Sequence, residues 1–241
     1  IYQTHDSFAR QEATLQEFQS GRVVGILLSV SGETSHSDHI NEVIASGIPV
    51  VFFDRVCEDV ETAKVITNDF ECGYQAASHL VRQGCKRITF LSVSSNLSIS
   101  NNRMEGYKKA LADHQFKSNQ TDIIFCGNDI DENYRLIIKA LKMDKRPDGV
   151  IACVEKFTNS IYLACNELKL SIPGDIRVIS FTNLQTALIL NPPLTTVEQP
   201  AFEMGKTAAS VLFRNLGKNS TALKNETVII PSVLHVRCSS S

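Results

Sequence analysis

The sequence lacks the short motifs that would announce a reaction. None of its 12 glycines falls in a G-x-G or G-x-x-x-x-G-K pattern, so neither a dinucleotide fingerprint nor a phosphate loop is visible. No G-x-S-x-G elbow is present either. The seven cysteines (Cys57, Cys72, Cys85, Cys126, Cys153, Cys165 and Cys238) are scattered and odd in number, with no C-x-x-C pair. Buried free thiols in a reducing cytoplasm are therefore expected, rather than a disulfide framework or a zinc site. There is no apolar run of about 18 residues, so no membrane-spanning helix is expected. There is also no initiator Met and no charged-then-apolar leader. Finally, 24 basic residues stand against 26 acidic ones, without the cationic excess that phosphate neutralisation needs. Direct nucleic-acid binding by these residues alone is not expected.

What remains is an ordinary globular composition, 43% apolar and 21% charged, in 241 residues, enough for one or two domains with a substantial core. Short Val-, Ile- and Phe-rich runs alternate with longer amphipathic ones. RVVGILLSV (22–30), IPVVFFD (48–54), KRITFLSV (86–93), TDIIFC (121–126), DGVIACV (148–154) and DIRVISF (175–181) have the length of strands buried on both faces of a parallel sheet. Between them, SFARQEATLQEFQSG starts on a Ser cap and stops at Gly21, and NDFECGYQAASHLVRQG runs from Asn68 or Asp69 to Gly84. RMEGYKKALADH, DENYRLIIKALKM, NSIYLACNELKL and FEMGKTAASVLFRNLG complete the helices. Strand then helix, repeated, predicts an α/β fold with parallel sheets and right-handed crossovers.

Two late segments break the rhythm. NPPLTTVEQPAFEMG (191–205) places a four-residue strand between prolines, with Pro200 opening a helix as a first-turn residue. TVIIPSVLHVRCSSS (227–241) reads as two short strands split at Pro231 and a frayed polar end. A chain that returns to strand, helix and strand after its α/β units suits a two-lobed protein crossed more than once.

Candidate chemistry is sparse. His36, Asp38 and His39 have metal-ligand side chains, but no second cluster supplies further ligands. Capping of a helix by Ser37 or Asp38 accounts for the same residues. Cys126 and Cys153 end apolar strands, where α/β sites lie, yet a nucleophilic thiol needs a base and an electropositive setting that the sequence does not show. Core packing is the favoured role for both.

The order of motifs carries more. DFECGYQAASHLVRQGCKRITFLS (69–92), RMEGYKKAL (103–111), RPDGVIACVEK (146–156), IPGDIRVISFTN (172–183), PPLTTVEQPAFEMGKTA (192–208) and the closing VRCSS occur in this order along the chain. Together with SGETSHSDHINEVIASGIPVVFFDR (31–55), this set resembles the effector-binding core of LacI/GalR-type transcriptional regulators. The resemblance implies the type I periplasmic-binding-protein-like fold: two α/β lobes, three crossover strands and a small-molecule cleft between the lobes. It places 1–67 with 197–218 in the N-terminal lobe, and 68–196 with 219–241 in the C-terminal lobe. It implies a homodimer in the cytoplasm, no cofactor and no enzymatic activity. Operator DNA would be read by a helix-turn-helix absent from this chain. IYQTHDSFAR reads as a strand end entering a helix, so the first strand of the core is expected upstream as well.

The family's effector contacts carry over onto Arg103, Asp54, Ser29 and Gln199. The Arg103 fork suits adjacent hydroxyls or a carboxylate, and the Asp54 carboxylate suits sugar hydroxyls. An ion pair with Arg55 or a helix cap is the alternative role for Asp54. Two positions depart from the family pattern. Val154-Glu155 stands where many members have Asn-Asp, and Thr182 stands where they have an Asp. Either the effector is not a typical free hexose, or Glu155, Lys156 and the upstream strand supply the contacts; Glu155 and Thr182 join the candidate set. A small polar effector, sugar or sugar-derived, is the implied ligand. The rival roles are an exported sugar-binding protein of a transporter, which would normally avoid so many free thiols, and a Rossmann-like enzyme, against which the missing glycine fingerprint counts.

Overall fold

The computed structural model describes residues 1–21, 23–93, 97–216 and 225–241. In chain order the elements are α1 (Phe8–Phe18), β1 (Ile26–Leu28), α2 (Asp38–Ala45), β2 (Val50–Phe53), β3 (Lys64–Thr67), α3 (Asp69–Arg82), β4 (Ile88–Ser92) and α4 (Ser98–Asp113). They continue with β5 (Thr121–Phe125), α5 (Ile130–Leu141), β6 (Gly149–Ala152), α6 (Thr158–Glu167), β7 (Arg177–Phe181) and β8 (Thr195–Glu198). Then come α7 (Ala201–Leu216), β9 (Thr227–Ile230) and β10 (Val233–His235). The chain divides into one unit of Ile1–Asn68, Asn96–Ile99 and Pro200–Pro231, and a second of Asp69–Ser95, Ser100–Gln199 and Ser232–Ser241.

The first unit holds a parallel sheet in the order β1-β2-β3-β9. Its period-two pattern explains how VVFF buries both ways. Val50 and Phe52 pack with Leu15, Ile40 and Val43 of α1 and α2, whereas Val51 packs with Met204, Ala208 and Val211 of α7. Ser7 caps α1 through Oγ, which accepts from Arg10 N, and the chain leaves the helix through Gly21 at φ 89°.

The second unit holds a six-stranded sheet in the order β10-β8-β7-β6-β4-β5, parallel except for β10 against β8. Helices α3 and α4 meet backbone to backbone. A Cβ on Gly73 would lie 2.0 Å from Arg103 O, and one on Gly106 would lie 2.0 Å from Phe70 O. Only glycine fits at either position.

Several expectations are corrected. The strand β3 was not foreseen: its segment AKVIT is flanked by charged residues, and its place comes from pairing with β2 and β9. The tail after 218 was expected in the second lobe, but β9 pairs in parallel with β3 and so belongs to the first unit. The boundary expected between 196 and 197 falls later: β8 lies inside the second sheet between β7 and β10, and the chain changes unit directly after it, at Gln199–Pro200. Burial explains this, since Thr195 and Val197 are fully covered. The closing serines are not frayed. Ser239 Oγ accepts from Thr195 N at 2.8 Å and donates to Val178 O at 2.6 Å, while Ser240 Oγ lies 2.9 Å from His79 Nε2. Both serines are fully buried. A polar tail can be buried when each hydroxyl finds a backbone or side-chain partner.

Candidate effector site

In the second unit, four of the six candidate residues gather beyond the C-terminal ends of β6, β7 and β8. Ligands of open α/β sheets bind at that end, where loops leave the strands. Arg103 comes from α4 and is 3% exposed. Its Nε donates to Asp69 Oδ1 at 2.7 Å, and its Nη1 donates to Cys153 O at 2.6 Å, just past β6. Its guanidinium sits 4.3 Å from the centre of the Phe181 ring at the end of β7, a cation–π contact. Its remaining nitrogen, Nη2, is buried and has no hydrogen-bond partner among the described residues. A buried charged donor left unspent is costly unless something else accepts from it.

Next to this arginine, Thr182 Oγ1 donates to Glu155 Oε2 at 2.6 Å and accepts from Leu184 N at 2.9 Å. The hydroxyl is thus occupied in fixing Glu155, which supplies the carboxylate that position 182 lacks. Lys156 turns its Nζ to Gly127 O at 2.8 Å and to Asn128 Oδ1 at 3.2 Å. Gln199 is held by its backbone: its N–H donates to Asn183 Oδ1 at 2.9 Å and its carbonyl accepts from Asn183 Nδ2 at 2.6 Å. This two-bond clamp fixes the residue at which the chain leaves the second unit to the loop after β7.

In the first unit, Ser29 and Asp54 follow β1 and β2, which are parallel neighbours in register Leu28 to Phe52. Asp54 has a left-handed backbone at φ 61°, and its N–H donates to Val65 O at 3.0 Å. A non-glycine residue in that region is sparsely populated and turns the side chain off the strand line. Arg55 pairs with Asp6 rather than with Asp54.

Asp69, Phe181 and Asn183 escaped the sequence reading. Asp69 carried a signal, but one that pointed only to a helix start. The His36, Asp38 and His39 group holds no metal site: among the described residues no group of three or more His, Cys, Asp or Glu is arranged to hold one. His36 faces Asp38 at 3.3 Å, while His39 is buried against Gln11. Ser37 stands at the cap position of α2 without a side-chain cap bond, because its hydroxyl donates to Asp59. None of the seven cysteines forms a disulfide. Burial pushes the Cys126 thiol up to about 11 and raises that of Cys153 as well, so neither is an activated nucleophile.

The chain is similar to the ribose operon repressor of Haemophilus influenzae, with 27% identity over 223 residues, covering 92% of this chain and 66% of that protein. It is similar to the HTH-type transcriptional repressor PurR of Mannheimia succiniciproducens at 28% identity over 226 residues, with coverage of 92% and 66%. A LacI family transcriptional regulator from Enterococcus faecium, solved with bound ribose, superposes with a TM-score of 0.83 at 26% identity, covering 95% of this chain and 83% of that one. The model of the periplasmic binding protein-like domain family matches residues 77–240, well over half of the chain. The chain belongs to this family, in its LacI/GalR branch. This LacI-type core spans about two thirds of the length of the curated relatives it matches. No helix among the described residues is long and apolar enough to cross a membrane.

Within the LacI-type core, the two departures from the family pattern have a structural counterpart. The carboxylate absent at position 182 is present at Glu155, one hydrogen bond away. Val154 leaves its position without a polar side chain, and the neighbouring Cys153 carbonyl is taken up by Arg103.

Proposed function

We propose that this LacI-type core is the effector-sensing and dimerisation part of a transcriptional regulator that is not an enzyme. Its effector is a small polar metabolite of the sugar class, engaged by Arg103 and Glu155 in the second unit, with Thr182 holding Glu155 and Gln199 beside them. Ser29 and Asp54 are proposed as the first unit's share of the contacts. Operator DNA is assigned to a segment outside these 241 residues, consistent with the balanced charge of the chain. Effector binding and operator binding would then be linked reciprocally, each changing the other's affinity by the same factor. The relatives named as repressors weigh against the exported transporter component.

The observation that carries this reading is the buried Arg103 with Nη2 unspent at the end of the parallel sheet. A ligand hydroxyl or ring oxygen would complete it. Binding should raise the melting temperature by mass action, by about 2.7 kcal/mol of stability at a hundredfold excess over Kd. The test is a thermal-shift titration with D-ribose and a panel of pentoses and hexoses, repeated on Arg103→Lys. Lysine keeps the charge opposite Asp69 but loses the fork, so the ligand shift should vanish while circular dichroism stays native. A sugar that binds this variant as well as the parent would remove Arg103 from the site.

For the dimer, the second unit exposes several large apolar side chains. Ile130 is 70% exposed, Leu163 60%, Leu188 60% and Ile189 80%. Leu163 of α6 is shared by two adjoining depressions of about 710 and 440 Å³ that run from α5 to the loop at Leu190–Pro192. A second copy of this chain is the proposed occupant, because a two-fold contact lets one apolar patch cover itself.

A further inference from the structure

One buried amide in the first unit serves two neighbours whose demands conflict once a proton is added. We propose that Gln11 and His39 form a pH-sensitive switch: protonation of His39 turns the Gln11 amide away from Ser31, releases the loop after β1 and so weakens effector binding at acid pH. The effect on the effector rests on the proposed contacts of Ser29 and Asp54, whereas the effect on the loop does not.

Gln11, Ser31 and His39 are all buried, so bulk water does not replace a partner that any of them loses. With a neutral ring, both ends of the amide are used. Gln11 Oε1 accepts from Ser31 N at 2.7 Å, while Nε2 donates to Thr34 Oγ1 at 3.2 Å and to His39 Nε2 at 2.8 Å. His39 Nε2 is thus an acceptor, and the ring hydrogen sits on Nδ1, which has no hydrogen-bond partner among the described residues. An imidazolium carries hydrogen on both nitrogens. Its Nε2–H would face an amide nitrogen that has no acceptor to offer. Turning the amide over gives Oε1 to the ring but sets Nε2 against the Ser31 N–H. The Gln11 carbonyl therefore serves either the charged ring or Ser31, at opposite ends of the amide, and not both. A buried backbone N–H without an acceptor is costly, so Ser31 moves.

Ser31 is where this loop is pinned. Its Oγ donates to Asp6 O and accepts from Glu33 N at 3.2 Å, and its carbonyl accepts from Thr34 N at 3.1 Å. Just before it, Val30 N donates to Arg55 O at 3.2 Å, which ties the loop carrying Ser29 to the one carrying Asp54. Releasing Ser31 loosens the first unit's share of the proposed contacts.

The groups around the ring set the direction. Burial lowers the His39 pKa most, and His36, on the loop before α2, lowers it further. Glu12 on α1 and Asp38 and Glu42 on α2 oppose them. The ring is then neutral at pH 7 and gains its proton only below the ordinary histidine value of about 6.5. Because the effector prefers the neutral form, its affinity is full above that pH and falls as pH drops through the folded value. By reciprocity, a bound effector makes His39 harder to protonate.

Two measurements on the 241-residue chain test the switch. In amide NMR spectra recorded from about pH 7.5 to about pH 5, the Ser31 signal should follow a one-proton titration in the parent. It should stay in place in His39→Gln, whose side-chain carbonyl accepts from Gln11 at every pH. Isothermal titration with D-ribose, or with whichever pentose or hexose of the thermal-shift panel binds, should show Kd rising at least about threefold over that range in the parent and staying flat in His39→Gln. Gln11→Glu is the stricter variant. A carboxylate has two acceptor oxygens, so it can hold Ser31 N and a charged His39 together. Both pH dependences should then vanish although the histidine remains, a result that a merely space-filling ring would not give. Should one variant fail to fold, the other carries the comparison. A Ser31 signal that does not titrate in the parent, or that titrates equally in the variants, overturns the switch. A titrating Ser31 with a sugar Kd that ignores pH overturns the step from loop to effector and leaves the sugar-sensing function standing. Absence of binding by every sugar removes the proposed function, and the Ser31 titration then decides the switch by itself.

Discussion

At the scale of single residues, the glycines divide sharply by what surrounds them. Gly73 and Gly106 have backbone atoms of the neighbouring helix where a Cβ would go, at 2.0 Å in each case, and backbone cannot step aside as a side-chain tip can. Gly205 in α7 has nothing within 4 Å of that point. Gly106→Ala should therefore cost about 1–3 kcal/mol or more through overpacking. Gly205→Ala should stabilise by up to about 1 kcal/mol, through lower chain entropy in the unfolded state and better helix propensity. Urea denaturation of the two variants reads both signs, and equal effects would mean that α3 and α4 do not approach this closely. Legibility at this scale was uneven. Arg103 could be found from its place in RMEGYKKAL, and Glu155 and Thr182 could be flagged as departures. Asp69 could not be given its role, because an acid at the start of a helix is accounted for locally by the helix itself. Its partner lies 34 residues away, a distance that no local pattern reports.

At the scale of elements, the contact between α1 and α2 turns on one amide. Gln11 Oε1 accepts from Ser31 N at 2.7 Å, which fixes the amide orientation and directs Gln11 Nε2 to His39 Nε2 at 2.8 Å. An amide nitrogen only donates, so His39 Nε2 must accept, and the ring is neutral with its hydrogen on Nδ1. Desolvation by burial lowers the pKa of His39, followed by repulsion from His36, against weaker opposing effects of Glu12, Asp38 and Glu42. Burial lowers His79 in the second unit as well, against the opposing effect of the hydrogen bond its ring donates to the Ser240 carbonyl. With both folded values below the unfolded one, the unfolded chain binds more protons across the window between them. Stability is then full above about pH 6.5 and is lost as pH falls from there towards the folded values. Thermal melts between about pH 7.5 and pH 5 should show this decline, and His39→Gln, whose carbonyl can accept from Gln11, should flatten part of it. A His39→Gln profile parallel to the parent's would show that the ring carries no such linkage. The helices and most strands were legible at this scale because their period and caps are local. β3 and the placement of β9 were not, since a short parallel strand is defined by the partner it finds rather than by its own residues.

At the scale of the whole molecule, sequence order specified the family more surely than any single segment did, because seven weak motifs in the right succession are jointly specific. The surface was less legible. Leu188 and Ile189 are exposed, and only the packing of α5 beside α6 shows that Ile130 and Leu163 line one depression. If a second copy covers this face, charge placed at its centre should be far more damaging to association than to folding. An exposed side chain loses little on substitution in the monomer, usually within about 0.5 kcal/mol, whereas a buried unpaired charge at an interface costs several times that. Leu163→Asp and Ile189→Lys should each convert the dimer to a monomer in sedimentation at micromolar concentration, with urea midpoints of the separated chains little changed. Combining the two in different molecules offers the stricter check. In a two-fold contact the patch meets itself, so an Asp-bearing chain mixed with a Lys-bearing chain should recover part of the association that each lost alone. Dimers that persist in both single variants would assign the face to something other than a second copy.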